Sequence, residues 1–486
     1  MGSKVFSDPP KHTHLKLTGR SFRRYSRIMQ IRFVRLAQVF LGSMFLPLAL
    51  TAADFPGEKL SSTERMKTPH LKAAHEDALR LAQMRKTLRP LPGLHDYKAI
   101  LHAHAEDSAH TGGTRPEMLA DAKKAGVQVI MLTDHLRPPR DFMDSWRGLH
   151  DGVLFIPGSE AKGFLVYPFS SILKDIDAPK AEFIAKVTAN NGLIFLSHIE
   201  ERKDHPMEGL TGLEIYNRHF DAKKDMGGVI ALGMKLLDPK LLAELYENLR
   251  LYPDELLAAQ VTYQDEYMRK WDSGTVNQRL TGVAANDCHH NQVFIVKMVD
   301  ENTVLIGTNV DKDDGMRRMT ADSRPTIREL TKGHKAGDVV ARADLDPYYR
   351  SFRDSATHIL ATELTEAAIR SALQQGHAFV SHDWMCDATG FSFTLSDSGS
   401  PPGRREQKPG AIMGDQVKPA KDQTLVALFP VACHARLLKD GKVVAESEGD
   451  RFEHKVGDSG VYRLEGWLKL DGEYRPWIYS NPIYIR

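Results

Sequence analysis

Leu101-His102-Ala103-His104-Ala105-Glu106-Asp107-Ser108-Ala109-His110 follows the apolar pair Ala99-Ile100, and together they read as a strand that runs into a loop. Side chains alternate across a strand, so His102 and His104 project from one face and both imidazoles can reach one point. His110 falls where the strand has given way to loop, free to fold back towards the same point. A single His-x-His pair carries little weight alone, and the runs that follow supply the rest.

From Tyr97 onwards short apolar runs alternate with helical stretches. Ala99–Leu101 is followed by a helix over Pro116–Ala125 and by Val127–Leu132, Val153–Ile156 and Phe164–Tyr167. A helix over Lys180–Ala189 then precedes Leu193–Leu196, Leu213–Tyr216 and Thr281–Ala285. Strands alternating with helices predict parallel pairing, and about seven such units suit a barrel better than an open sheet. What stands at the strand ends is repetitive in kind: His102 and His104, Thr133-Asp134-His135, Pro157-Gly158-Ser159-Glu160, Ser197-His198, and Asn286-Asp287-Cys288-His289. In barrel-like α/β folds the carboxyl ends of the strands share one mouth, where active sites lie. Imidazole mixed with carboxylate, without thiolate, suits Zn, Mn or Fe(II) and disfavours a structural zinc cage or a calcium site. Eight candidate ligands, His102, His104, His110, His135, Glu160, His198, Asp287 and His289, exceed the needs of one ion. They predict two or three divalent metals with Glu160 as the bridge.

These residues, in this order across 98–290, resemble the polymerase and histidinol phosphatase (PHP) superfamily. The resemblance implies a distorted seven-stranded (βα) barrel and a metal cluster that hydrolyses phosphoesters. It groups His102, His104, Glu160 and Asp287 at one ion, His110, His135 and His289 at a second, and Glu160 with His198 at a third. His102, His104, Asp287 and His289 are the residues expected to carry catalysis. The third site is short of a histidine, because the fourth strand reads Gly163-Phe164-Leu165-Val166-Tyr167-Pro168. Water, His205 or another group completes it, or two ions suffice. Glu214 matches a recurring position and is expected, with Asp134, to orient ligand histidines. Arg137, Arg140 and Arg218 follow strand ends and are candidates for phosphate, Arg137 and Arg218 foremost.

The implied function is an exported metal-dependent phosphoesterase acting on a small phosphomono- or phosphodiester through metal-bound hydroxide. Two alternatives stand beside it: an amidohydrolase-like metal enzyme cleaving a C–N or ester bond, and a non-catalytic protein that binds metal or ligand. No lysine occupies a matching mid-barrel strand end, which counts against the first alternative.

The chain has 486 residues, enough for two or more cores. Its first 53 residues carry nine Lys/Arg and one Asp, a net +8, so the remainder of a +2 chain is −6. A mildly acidic body is a poor partner for nucleic acid. The basic head, the apolar run Leu36–Leu50 and Leu50-Thr51-Ala52-Ala53 have the form of a signal peptide over 1–53, with Met29 as an alternative start. A periplasmic or extracellular protein without a stable membrane anchor after cleavage is expected. Arg23-Arg24 fits a twin-arginine signal only loosely, so the export route is open. A polar helical segment over 54–96 precedes a metal-binding domain over 97–385, which holds a helical insertion at about 221–278. Residues 291–345 have no clear assignment beyond a strand at Val304–Gly307 and an exposed loop over Asp311–Ser323, and Leu360–Gln375 reads as a helix. From 386 to 486 the apolar period becomes two, as in a small all-β sandwich, and Asp458-x-Gly460-x-Tyr462 has the form of a tyrosine corner. Of three cysteines, Cys386 and Cys433 are the pair available for a disulfide, and Cys288 is left free.

Overall fold

The structure is a computed structural model that describes residues 60–396 and 410–486. The expected signal peptide and the whole Pro/Gly-rich Ser398–Lys408 segment lie outside the described residues. Mixed α/β architecture is observed, with three sheets and twelve α-helices among the described residues. None of these helices is long and apolar enough to cross a membrane.

Eight strands surround the mouth: β1 (His95–Ala103), β2 (Val129–Leu132), β3 (Val153–Ile156), β4 (Ser159–Ala161), β5 (Phe164–Tyr167), β6 (Leu193–Leu196), β7 (Gly212–Asn217) and β8 (Thr281–Ala285). β1, β2 and β3 pair in parallel, and so do β6, β7 and β8. The expected barrel of seven parallel strands is corrected between them. β5 runs antiparallel to both β4 and β6, and the strands fall into two sheets. The cause is local: only Lys162 and Gly163, with φ of 54° and 91°, join β4 to β5. Two residues in the left-handed region make a hairpin turn, whereas a parallel crossover needs a dozen residues or more. Two isolated parallel bridges, Ala103 with Cys288 and His135 with Glu160, stitch the two sheets together. Both bridges involve or adjoin the predicted ligands.

The helices over 115–125 and 180–189 form as the pattern predicts. Arg115–Ala125 starts in a reciprocal Thr114/Glu117 cap and ends at Gly126 in the left-handed region. The insertion is helical: Arg218–Lys224, Met226–Lys235, Pro239–Leu251, Pro253–Ala258 and Asp265–Thr275. It packs on a sheet that the sequence reading leaves unassigned. Arg317–Thr320, Thr303–Thr308, Val293–Asp300 and Val339–Asp344 form four antiparallel strands in that order, so part of the expected 311–323 loop is strand. Leu232, Leu236, Leu242 and Leu245 share a buried cluster with Val296, Val304, Ala341 and Ala343, which gives the insertion and the sheet a common core.

Beyond it, β9 (Ala356–Ala361) pairs with β1, and β10 (Ala378–Ser381) pairs with both β9 and Glu473–Ser480. Leu360 therefore belongs to a strand, and the helix begins at Glu366 and ends at Gln375 before Gly376. The C-terminal strands are predominantly antiparallel, and through Glu473–Ser480 they continue the sheet that contains β1. The Tyr462 hydroxyl donates to the Asp458 carbonyl at 2.7 Å, the tyrosine corner the motif predicts. All three cysteines are buried and free, so Cys386 and Cys433 are not joined.

Candidate metal centre

Strand ends and the loops just after them bring the predicted ligands into one cleft. His102 and His104 leave β1 buried, with ring centroids 5.1 Å apart. His135 follows β2, Glu160 lies in β4, His198 follows β6, and Asp287 and His289 follow β8. Two of these residues need a left-handed backbone: His198 at φ 49° and Asp287 at φ 47°. A non-glycine residue held there is uncommon and marks a turn fixed by its surroundings.

The groups whose donor atoms lie within 4.8 Å of one another include His104, His135 and His289; His102, His104 and Asp287; and His102, Glu160 and His198. His104 thus joins the triad in which His110 is expected. His110 is exposed, and its Nδ1 faces Ser108 Oγ at 3.1 Å. Its ring still lies 4.8 Å from that of His135 and 5.0 Å from that of His289.

The hydrogen bonds decide which imidazole nitrogen faces the cleft. His102 Nδ1 donates to Glu214 Oε1 at 2.7 Å. Asp107 Oδ2 accepts from His104 Nδ1 at 3.1 Å and from His135 Nδ1 at 2.6 Å. His289 Nδ1 donates to the Asp287 carbonyl at 2.9 Å. Carboxylates and carbonyls only accept, so the proton sits on Nδ1 and Nε2 presents a lone pair. Nε2 of His102, His104 and His289 is buried without a hydrogen-bond partner. For His102 and His104, Asp287 Oδ1 stands at 3.3 and 3.5 Å from that atom. A lone pair facing a carboxylate oxygen in a dry site is unfavourable unless a proton or a cation lies between them. Divalent metal fits that place, and imidazole with carboxylate is the donor set it takes.

Carboxylates are spread unevenly through the cleft. Around His104, His135 and His289, Asp107 holds the Nδ1 atoms of the first two, while Asp287 Oδ1 and Glu160 Oε2 stand 3.5 Å from His104 Nε2 and His135 Nε2, and burial together with the charge of His289 pushes His104 down to about 3. At the other end Glu160, Glu200, Glu214 and Asp287 surround His102 and His198. Burial opposes protonation of His198, but hydrogen bonds to Glu160 and Glu200 outweigh it and push the group up to about 12. Burial likewise opposes ionisation of Glu160, and the hydrogen bond to His198 with the charge of His102 brings it down to about 2.

The remaining predicted residues are placed as follows. Glu214 is fully buried and also accepts from the His198 N–H and from Asn217 Nδ2, each at 2.8 Å. Asp134 touches no histidine ring through a hydrogen bond; it accepts from the Ala105 N–H at 2.9 Å and pairs with Arg115 and Arg140. Arg140 is thereby engaged, and Arg137 is exposed. Arg218 is buried; its Nη2 donates to Gln260 Oε1 at 3.3 Å, and its Nη1 is buried without a hydrogen-bond partner.

Two residues were not predicted. Asp107 lies in the opening stretch, three residues after His104, the spacing of a carboxylate that can turn back on its own loop. His219 lies two residues after the end of β7, and its Nδ1 is 3.3 Å from Asp287 Oδ2. His205, the candidate for completing the third site, faces elsewhere: its Nδ1 meets the Pro206 carbonyl and its ring packs edge-on against Phe164 at 5.1 Å.

No family model matches the chain, and no curated protein matches it. Among solved structures, it is similar to a protein from Bacteroides vulgatus described as a two-domain protein containing a predicted PHP-like metal-dependent phosphoesterase. The identity is 12%, the match covers 82% of this chain and 98% of that chain, and the TM-score is 0.32.

Proposed function

We propose that this protein is a PHP-like metal-dependent phosphoesterase, exported, that hydrolyses a small phosphomono- or phosphodiester. The observation that carries the metal reading is the set of three buried Nε2 atoms without partners, those of His102, His104 and His289, the first two of them turned towards the Asp287 carboxylate. His102, His104, His135, Glu160, His198, Asp287 and His289 would hold two or three ions of Zn, Mn or Fe, with His110 at the rim. When bound, the ions supply Lewis acidity for a phosphoryl oxygen and lower the pKa of water to roughly 7.

The chain's own residues supply geometry and protons. Glu214 and Asp107 keep His102, His104 and His135 in the Nδ1–H tautomer, so each Nε2 lone pair stays aimed into the cleft. Arg137, exposed and two residues after His135, would meet a phosphate oxygen. The domain division at 385/386 and the leader over 1–53 belong to the same proposal. In it the C-terminal strands serve as the buttress of β9 and β10.

A second reading keeps a specific observation in its favour. Arg218 is buried and Arg140 is paired with Asp134, and of the three candidate arginines Arg137 alone is exposed. A metal hydrolase of C–N or ester bonds needs fewer cations at its mouth. Purified protein reconstituted with Mn or Zn, assayed on panels of phosphomonoesters, phosphodiesters, amides and carboxylic esters, separates the two. Phosphate release that disappears with chelator is expected. Turnover confined to amides or carboxylic esters assigns the second reading instead.

A further inference from the structure

We propose that His219 is a metal ligand at the carboxylate-rich end of the cleft, where it completes an ion site with Glu160, His198 and Asp287. The inference rests on the metal-hydrolase reading above and adds to it a residue from an element that the strand-end pattern does not include.

The placement of His219 is built. It is the second residue of the helix Arg218–Lys224, and its N–H donates at 2.8 Å to Oδ1 of Asn217, which caps that helix. The other end of the same amide, Asn217 Nδ2, donates to Glu214 Oε2 at 2.8 Å. Glu214 is in turn the carboxylate that holds His102 Nδ1 and the His198 N–H. One buried frame therefore sets the positions of three histidines, and His219 is one of them.

The donor atoms meet at one place. His219 Nδ1 is 3.3 Å from Asp287 Oδ2. His198 Nε2 is 3.6 Å from that same oxygen and 3.2 Å from Glu160 Oε1. The rings of His198 and His219 stand edge to face, with centroids 5.2 Å apart. Two imidazole nitrogens and two carboxylate oxygens from four different elements form a set that suits Zn, Mn or Fe(II). The charge balance points the same way: four carboxylates, Glu160, Glu200, Glu214 and Asp287, gather at this end, and a divalent cation offsets them. The His219 side chain is 50% exposed, so this ion would lie on the solvent side, where substrate arrives.

The test is metal content, measured by inductively coupled plasma mass spectrometry on full chain reconstituted with Mn or Zn and then desalted. Wild type, His219→Ala, His205→Ala and His135→Ala are compared, with a chelator competition for the affinity of the last ion retained. His219→Ala is expected to lose about one equivalent, or to hold it at least tenfold more weakly, while His205→Ala matches wild type. His135→Ala is expected to retain the ion at the His219 end. Melting of the chelated proteins should be the same for wild type and His219→Ala, because a half-exposed ligand is not needed by the metal-free fold. Full stoichiometry and affinity in His219→Ala overturns the inference and leaves the metal reading standing, and so does a His219→Ala protein that fails to fold. No bound metal in wild type overturns both.

Discussion

Two carboxylates govern how the histidines of the cleft present themselves. Glu214 and Asp107 bind no cleft-facing nitrogen, yet between them they hold Nδ1 of His102, His104 and His135. Glu214→Gln removes the charge that pins His102 and the His198 backbone, and Asp107→Asn does the same for His104 and His135. Each is expected to weaken metal retention about 10–100-fold with the fold intact, read by competition with a chromogenic chelator. Asp134→Asn, at a position next to His135 in sequence but paired with Arg115 and Arg140, is expected to lower stability with a smaller effect on metal.

The elements that carry the ligands are braced by groups outside the cleft. His358 on β9 lies between Asp96 on β1 and Asp383 after β10, at 2.7 and 3.2 Å. Lys98 also pairs with Asp383. Burial opposes the imidazolium, but the two carboxylates outweigh it and push His358 up to about 10. A folded-state value above the unfolded value of about 6.5 means that this stabilisation is complete below pH ~6.5 and is lost as pH rises through about 10. Wild-type melting temperature is therefore expected to fall over that window, and His358→Gln is expected to show a flatter profile. At neutral pH the variant should be destabilised by about 1–3 kcal/mol, because Asp96 and Asp383 lose a charged hydrogen-bond partner while Lys98 stays paired with Asp383. The loop after β1 is braced by contact instead. Gly112 and Gly113 donate their N–H groups to the His289 carbonyl at 3.0 and 3.1 Å, and a Cβ on Gly113 would sit 2.3 Å from the Tyr348 hydroxyl oxygen. Gly113→Ala is expected to cost about 1–3 kcal/mol by overpacking and to loosen metal at the His104/His135/His289 triad, measured by thermal melting and metal content.

At the scale of the whole molecule, one sheet runs from the C-terminal strands through β10, β9 and β1 to β3. Glu473–Ser480 covers the edge of β10, and Trp477 lies in the same buried cluster as Phe379 of β10. A chain ended at residue 385 would expose that edge and that apolar face. It is expected to be insoluble or to melt at least 10 °C lower, and calorimetry of the full chain is expected to show one transition. Two resolved transitions, the upper one matching the shortened chain, would show that the two parts fold separately.

The amino-acid sequence alone singles out the candidate ligands at the mouth, because the histidines and carboxylates recur where a short apolar run ends, a signal confined to a few neighbouring residues. His102, His104, His135, Glu160, His198, Asp287 and His289 are legible in this way, and so are the helical insertion and the Asp458/Tyr462 corner. The direction of β5 was also present locally, in the two-residue Lys162-Gly163 turn, although the alternation of strands and helices favoured the parallel reading. What tertiary structure decided is whatever depends on partners distant in sequence. Arg218 is buried with Gln260, 42 residues away, as its hydrogen-bond acceptor. The strands within 293–344 find their apolar partners in the insertion, and His219 reaches Asp287 across 68 positions. The opening pair, His102 and His104, shows the division: alternation along β1 places both on one face, but only the distant Glu214 holds His102 with its lone pair turned into the cleft.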